Sequence, residues 1–339
     1  MLGRVKRLLR TRRRRVIAGV ILAIIVALIA ALIFGGKDKQ EQAPAIQKPP
    51  VYRSQLTGLE VSKKASEKPV LAVMIENSDS ARPQAGLASA DIVFETVTEG
   101  GITRYMALYQ TTDPKKIEPV RSVRPAFVRW LRGFDASIAH VGGSPAALNL
   151  IKEFHAKDLN QFFHPGPFYR DGNRPAPHNM IAIVKGLRGL QKQLGYGKQS
   201  RFTDIPRSDD SPAVKPGVTN IMLDFSGPDF AARFKYDKKT NSYKRFLAGQ
   251  AHKDAVTGKQ ITVNNLIVLK VNGHDSNSLE TLGAGEALLF KDGKVVKARW
   301  KQSSYRHRIA IIDKSGKEIP LNRGKTWFAA IPSGGSVRY

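Results

Sequence analysis

The chain has 339 residues, 42% of them apolar, with aromatic residues spread along its length, so it can build a packed core and is not a disordered polymer. It contains no cysteine, which excludes disulfides, thiolate metal sites, cysteine nucleophiles and thioether-linked lipid in one step. The formal charge of +27 divides into +10 for residues 1–58, where 12 Lys/Arg face two acids, and +17 for the remainder, an excess that favours anionic partners and says nothing about fold.

Residues 1–15 form a basic tail holding eight Lys/Arg, and residues 16–34 (VIAGVILAIIVALIAALIF) run without a charge. At 1.5 Å per residue such a helix spans a hydrocarbon core of about 30 Å. Only Lys37 and Lys39 follow closely, so the positive-inside rule places the N-terminus in the cytoplasm and the rest of the chain outside. A cleaved signal peptide would have a shorter apolar run and a small-residue cleavage site, whereas Gly35, Gly36 and Lys37 follow here. The expectation is an uncleaved single-pass anchor in the cytoplasmic membrane, with the lipid bilayer as its partner. Residues 35–54 are polar and proline-containing, as in a flexible tether.

Residues 55–205 alternate strand and helix signals, as in an α/β domain. Strands are expected over Val70–Ile75, Asp91–Thr98, Thr103–Gln110 and Ala136–Val141. Helices are expected over Val123–Phe134, where apolar residues recur at helical spacing, over Pro145–Phe154, and over about His178–Leu194 with Gly195 as its stop. From 206 to 339 short apolar strands follow one another, and Asp292-Gly293 is the strongest hairpin signal in the chain. The whole reads as α+β: a transmembrane helix, a mixed α/β domain, then a β-rich, mainly antiparallel domain.

Three expected helix starts carry residues suited to an anion, because a helix N-terminus offers free N–H groups and a partial positive charge. In PVRSVRPAF, Ser122 is the expected N-cap and Pro125 the first turn, leaving Arg121 and Arg124 as charges set against the helix dipole unless an anion or an acidic side chain sits between them. Candidate acids are Glu95, Glu99 and Glu118. In AHVGGSPAA, His140 ends a strand, Gly142 and Gly143 connect, and Ser144 caps the next helix; the P-loop lysine and third dinucleotide glycine are missing. RPAPHNM brings Arg174, His178 and Asn179 to the third start. The same Gly-Gly-Ser-Pro turn is also ordinary β-to-α chemistry. His140 and His178 are candidate acid–base groups. No metal-ligand spacing and no nucleophile elbow occur, and no cofactor is expected. Trp300, Tyr305, Arg306, His307 and Arg308 intermix aromatic and basic groups, as single-strand nucleic-acid binders do, but in a β-hairpin they are expected to form one exposed face.

The ordered segments NSDSARPQAGLASADIVFETVTEGGITRYMALYQ, PVRSVR, HVGGSP and APHN, within a likeness running from LTGLEV at Leu56 to KTWFAAIP near Pro332, resemble the YerB-like bacterial lipoproteins. The resemblance implies an extracytoplasmic, membrane-attached protein with an α/β part followed by a β-rich part, and supplies no established active site. Those lipoproteins are anchored through a lipidated cysteine; here the apolar helix takes that role. Three functions are open: a non-catalytic envelope module binding an anionic ligand, cell-wall polymer or envelope protein; an envelope hydrolase or transferase using His140 or His178 with Glu95 or Glu99; or capture of single-stranded DNA outside the membrane.

Overall fold

The computed structural model describes residues 2–35 and 50–339, so most of the expected tether lies outside the described residues. The chain divides into two compact units, Met1–Pro50 and Val51–Tyr339. The first is helix α1, Leu2–Phe34, whose segment Arg15–Phe34 is long and apolar enough to cross a membrane, by length and composition, and is buried nowhere in the protein.

In the second unit, α2 (Lys63–Ser66), β1 (Leu71–Glu76), β2 (Ile92–Val97), β3 (Thr103–Tyr109), β4 (Lys116–Ile117), α3 (Pro125–Arg132), β5 (Ser137–His140), α4 (Pro145–Glu153), β6 (Lys157–Asn160), β7 (Phe168–Arg170), β8 (Met180–Ile183) and α5 (Val184–Gln193) follow in order. The regular elements that follow are strands, apart from one 3-10 turn: β9 (Arg207–Ser208), β10 (Asn220–Asp224), β11 (Ala232–Asp237), β12 (Ser242–Leu247), β13 (Gln250–Ala251), β14 (Thr262–Val263), β15 (Asn265–Lys270), β16 (Gly283–Lys291), β17 (Lys294–Gln302), β18 (Ala310–Ile312), β19 (Leu321–Asn322), β20 (Thr326–Ile331) and β21 (Ser336–Arg338).

Ten strands form one mixed sheet in the order β18-β17-β16-β15-β20-β2-β3-β1-β5-β6. Strands from both sequence segments belong to it, so residue 205 does not divide one sheet from another. The join is β20, which pairs parallel to β2 on one side and to β15 on the other. A continuous apolar run such as LAVMI is what a strand covered on both faces requires. Its alternate residues enter different cores: Leu71, Val73 and Ile75 face one, Ala72 and Met74 the other. The first core is closed by the smaller sheet β13-β12-β11-β10-β21, the second by α3, whose Phe127, Trp130 and Leu131 pack with Phe94 and Phe328. The Phe94 ring lies 4.6 Å from that of Phe328 and 5.4 Å from that of Trp130. Every residue of both cores belongs to Val51–Tyr339, so this unit contains its folding determinants whole.

Two local expectations are corrected. The helix expected from His178 begins at Val184 instead, because Met180–Ile183 pairs with both β4 and β7 and is thereby drawn into a small three-stranded sheet. Helix α3 begins at Pro125 rather than Val123, because Val123 is extended: its N–H donates to Gly142 O and its carbonyl accepts from Ser144 N–H. The Asp292-Gly293 hairpin forms as read, with both residues at positive φ (57° and 70°) and Lys291 opposite Lys294.

Candidate functional site

Glu99 follows β2, Arg121, Ser122 and Arg124 follow β4, His140 ends β5 with Gly142, Gly143 and Ser144 after it, and Arg174, His178 and Asn179 follow β7, in arrangements that differ from residue to residue. At α3 the N-cap position is held by Arg124, not Ser122, whose hydroxyl donates to Val141 O at 2.9 Å. The Ala126 N–H donates to the Ser276 carbonyl, so part of this helix start is already occupied by backbone. The expected acid is present too: Arg124 forms an ion pair with Glu99, which also accepts from Asn277 Nδ2 at 3.3 Å. Burial alone would raise the Glu99 carboxyl, but the Arg124 hydrogen bond and charge and the neighbouring donors hold it down at about 2.

Arg121 pairs with a residue the sequence did not suggest. Its Nε lies 3.3 Å from Oε2 of Glu76, which opposes Arg104 across the β1–β3 ladder and has a side chain only 3% exposed. Glu76 Oε1 accepts from Ser78 Oγ at 2.9 Å and from His178 Nδ1 at 2.8 Å. The Ser78 hydroxyl is therefore committed to the carboxylate, and both Ser78 and Glu76 lie on the same ring nitrogen, so these three groups are not a nucleophile–base–acid relay. His178 Nε2 makes no hydrogen bond within the described residues. Burial and the crowding Arg124 guanidinium, against the pull of Glu99, lower Arg104 to about 10. Its Nη1 donates to Ser122 O at 3.1 Å.

His140 is fully buried, with Nδ1 2.7 Å from Gly142 O and Nε2 2.7 Å from Asp158 Oδ1. Both nitrogens are thus engaged by groups of the protein, and neither is free for a substrate. His140 is a brace behind the Gly142 turn. Ser144 caps α4 as expected, accepting from Ala147 N–H at 3.3 Å, with Pro145 in the first turn. Gly142 has φ 58°, and a Cβ at Gly143 would meet Val123 Cγ1 at 2.8 Å, so the two glycines permit the turn and its close approach to the strand before α3. Arg174 and Asn179 do not reach a helix start: Arg174 donates to the Ala81 and Pro83 carbonyls, and Asn179 bridges Asp171 O, Arg174 O and Arg170 Nη1, which fastens the loop before β8.

Arg121, Ser122, Gly142 and Gly143 do come together, on the wall of a cleft of about 550 Å³. Sequence reasoning missed the rest of the lining that matters: Lys152 of α4, Arg170 of β7, and Phe162 and Phe163 of the loop after β6. Two phenylalanines next to His-Pro-Gly-Pro, in a stretch with no periodicity, were the available signal. Lys152 and Arg170 are exposed and have no carboxylate partner among the described residues, whereas Asp158, the acid in the lining, is held by His140.

Two other expected features are structural. Glu95 is completely buried with Arg245 Nη2 2.9 and 3.0 Å from its two oxygens, Trp327 Nε1 at 3.0 Å and Thr103 Oγ1 at 3.1 Å. The aromatic and basic stretch near residue 300 is not one exposed face: Trp300 is buried with its Nε1 donating to Lys270 O, and Arg308 is buried against Glu318.

Fold and site together define a strand-rich α+β protein with one N-terminal apolar helix, consistent with membrane anchoring. The N-terminal domain of "Protein of unknown function (DUF3048)" matches residues 56–197 and its C-terminal domain matches residues 221–328. The chain is 32% identical over 290 residues to "Putative lipoprotein YerB" of Bacillus subtilis (strain 168), covering 83% of this chain and 86% of that one. The crystal structure of YerB protein from Bacillus subtilis superposes with a TM-score of 0.76 at 30% identity, over 85% of this chain and 99% of the other. The chain belongs to this YerB-like family, whose function is unknown.

Proposed function

We propose that the protein is a single-pass envelope module, with its basic tail in the cytoplasm and Val51–Tyr339 outside, that binds an anionic ligand in the cleft between α4, the Gly142 turn and the loop after β6. The topology is supported by the eight Lys/Arg before the apolar helix. The observation that carries the binding reading is the meeting of Arg121, Lys152 and Arg170 on one concave surface, two of them without a carboxylate partner among the described residues. Such cations persist at little cost in water and gain most when a phosphate or carboxylate displaces their solvent. Lys152→Gln with Arg170→Gln should weaken binding of glycerol 3-phosphate by about tenfold or more, which is roughly 1.4 kcal/mol, in a calorimetric titration. Unchanged affinity, or no binding by the wild type, would remove the cleft from consideration.

A second reading is favoured by Glu76 and His178. A buried carboxylate on Nδ1 orients the ring and leaves Nε2 free, the arrangement a general base uses. It replaces the earlier pairing of a histidine with Glu95 or Glu99, both of which serve arginines. His178→Ala separates the readings: it should abolish turnover in a hydrolase or transferase but leave ligand affinity within about tenfold in a binding module.

A further inference from the structure

The cleft is more apolar than a bare anion requires. Phe162 and Phe163 are 68% and 73% exposed, and Leu148 and Ile151 of α4 share the same cleft. The two rings are presented by a built loop. Asn160, itself buried, accepts through Oδ1 from the Phe162 and Gly142 N–H groups at 3.2 Å each, and its carbonyl accepts from Phe163 N–H at 3.1 Å. One carboxamide thus ties the phenylalanine loop to the glycine turn. Gly142 also makes the room: a Cβ there would lie 2.9 Å from Phe162 Cε2.

Adjacent rings held open to water by backbone hydrogen bonds carry an unfavourable hydration that a covering apolar group relieves. The same cleft holds Arg121, Lys152 and Arg170, and its volume of about 550 Å³ suits a small ligand with both a charged and an apolar part. We propose that the ligand is an anionic amphiphile, a phosphate- or carboxylate-headed molecule with a hydrocarbon chain. The head group meets Lys152 and Arg170, beside Arg121 already paired with Glu76, and the chain lies against Phe162, Phe163, Leu148 and Ile151. A purely polar polyanion leaves the phenylalanines without a purpose, and a neutral hydrocarbon leaves the cations without one. This rests on the anion reading above and adds the apolar half of the ligand.

The test uses the Val51–Tyr339 unit, which contains both cores, and three soluble probes below their micelle concentrations: octyl phosphate, glycerol 3-phosphate and octyl glucoside. Octyl phosphate should bind at least tenfold more tightly than either of the others. Phe162→Ser with Phe163→Ser, both at exposed positions, should reduce octyl phosphate to the affinity of glycerol 3-phosphate while leaving glycerol 3-phosphate unchanged. Lys152→Gln with Arg170→Gln should weaken both phosphates by a similar factor. Equal wild-type affinities for the two phosphates would leave the anion site standing and overturn the chain subsite. Equal affinities for the two octyl compounds would overturn both readings, as would binding of none of the three. Binding to anionic vesicles without binding of monomeric octyl phosphate would make the phenylalanine pair a bilayer-surface contact, and would equally overturn the proposal.

Discussion

The buried Glu95–Arg245 pair joins a β2 residue of the N-terminal segment to a β12 residue of the C-terminal segment, and both side chains are completely buried. Arg245→Met keeps approximately the length and apolar stem of the side chain but removes two hydrogen bonds to Glu95, at 2.9 and 3.0 Å, and a guanidinium 4.6 Å from the Trp327 ring. The larger effect is on what remains: a carboxylate with no cation, in a site closed to water. Breaking such a pair from one side costs about 3–5 kcal/mol, well above the net worth of the pair itself. Removing the second charge should recover much of that loss. Arg245→Met with Glu95→Gln keeps an oxygen to accept from Trp327 Nε1 and turns an amide N–H toward Thr103 Oγ1, which can accept it, and should lie within about 1–2 kcal/mol of wild type. Urea unfolding of Val51–Tyr339, with both single variants and the double, measures the cycle. A single Arg245→Met variant within about 1 kcal/mol of wild type would show that water reaches Glu95, and would refute the assignment of this carboxylate to structure.

Arg121→Gln should destabilise the same unit by about 1–3 kcal/mol even without a ligand, because Oε2 of the buried Glu76 loses its nearest cation; a neutral or stabilising result would restore the idea that Arg121 awaits an external anion. Burial lifts the Asp91 carboxyl from 3.8 to about 6, against the donors Thr111 and Gln110. A raised carboxyl stabilises fully below the unfolded value and loses that contribution as pH rises through the folded one, so Asp91 should remove about 3 kcal/mol between pH 4 and 6. Subtracting the pH–stability curve of Asp91→Asn from that of wild type should isolate this downward slope; a flat difference contradicts it. For topology, protease added to intact spheroplasts should digest the chain beyond residue 50 and spare the basic tail, whereas protection of the whole chain would place Val51–Tyr339 in the cytoplasm.

Local chemistry made much of the molecule readable. The Asp292-Gly293 hairpin, the Ser144-Pro145 helix start and the amphipathic face of Phe127, Trp130 and Leu131 all follow from neighbours within about two turns, and all occur in the structure. Misreadings arose where a distant partner decided the outcome. Met180–Ile183 is too short an apolar run for periodicity to separate strand from helix, and its pairing with β4, far back in the chain, settled the matter. Strand β20 reads as an ordinary strand, yet nothing local reveals that it inserts parallel between β2 and β15 and so fuses the two sequence segments into one sheet.

The candidate site failed and succeeded by the same rule. Helix-start reasoning offered Glu99, the partner of Arg124, among its candidate acids, but left Arg121 and His178 to an outside anion because their shared partner was invisible: Glu76 lies 102 residues from His178 in sequence and meets it only after β1 and the loop before β8 come together. Once the protein's own carboxylates are counted, the positive charge left over moves from Arg121 and Arg124, which are paired, to Lys152 and Arg170, which are not among the described residues' ion pairs. Gly142 and Gly143 keep their place in this arrangement for a different reason from the one their motif suggested. Their small size lets the turn lie against Val123 on one side and Phe162 on the other, so they shape the cleft, whether or not their amides touch what fills it.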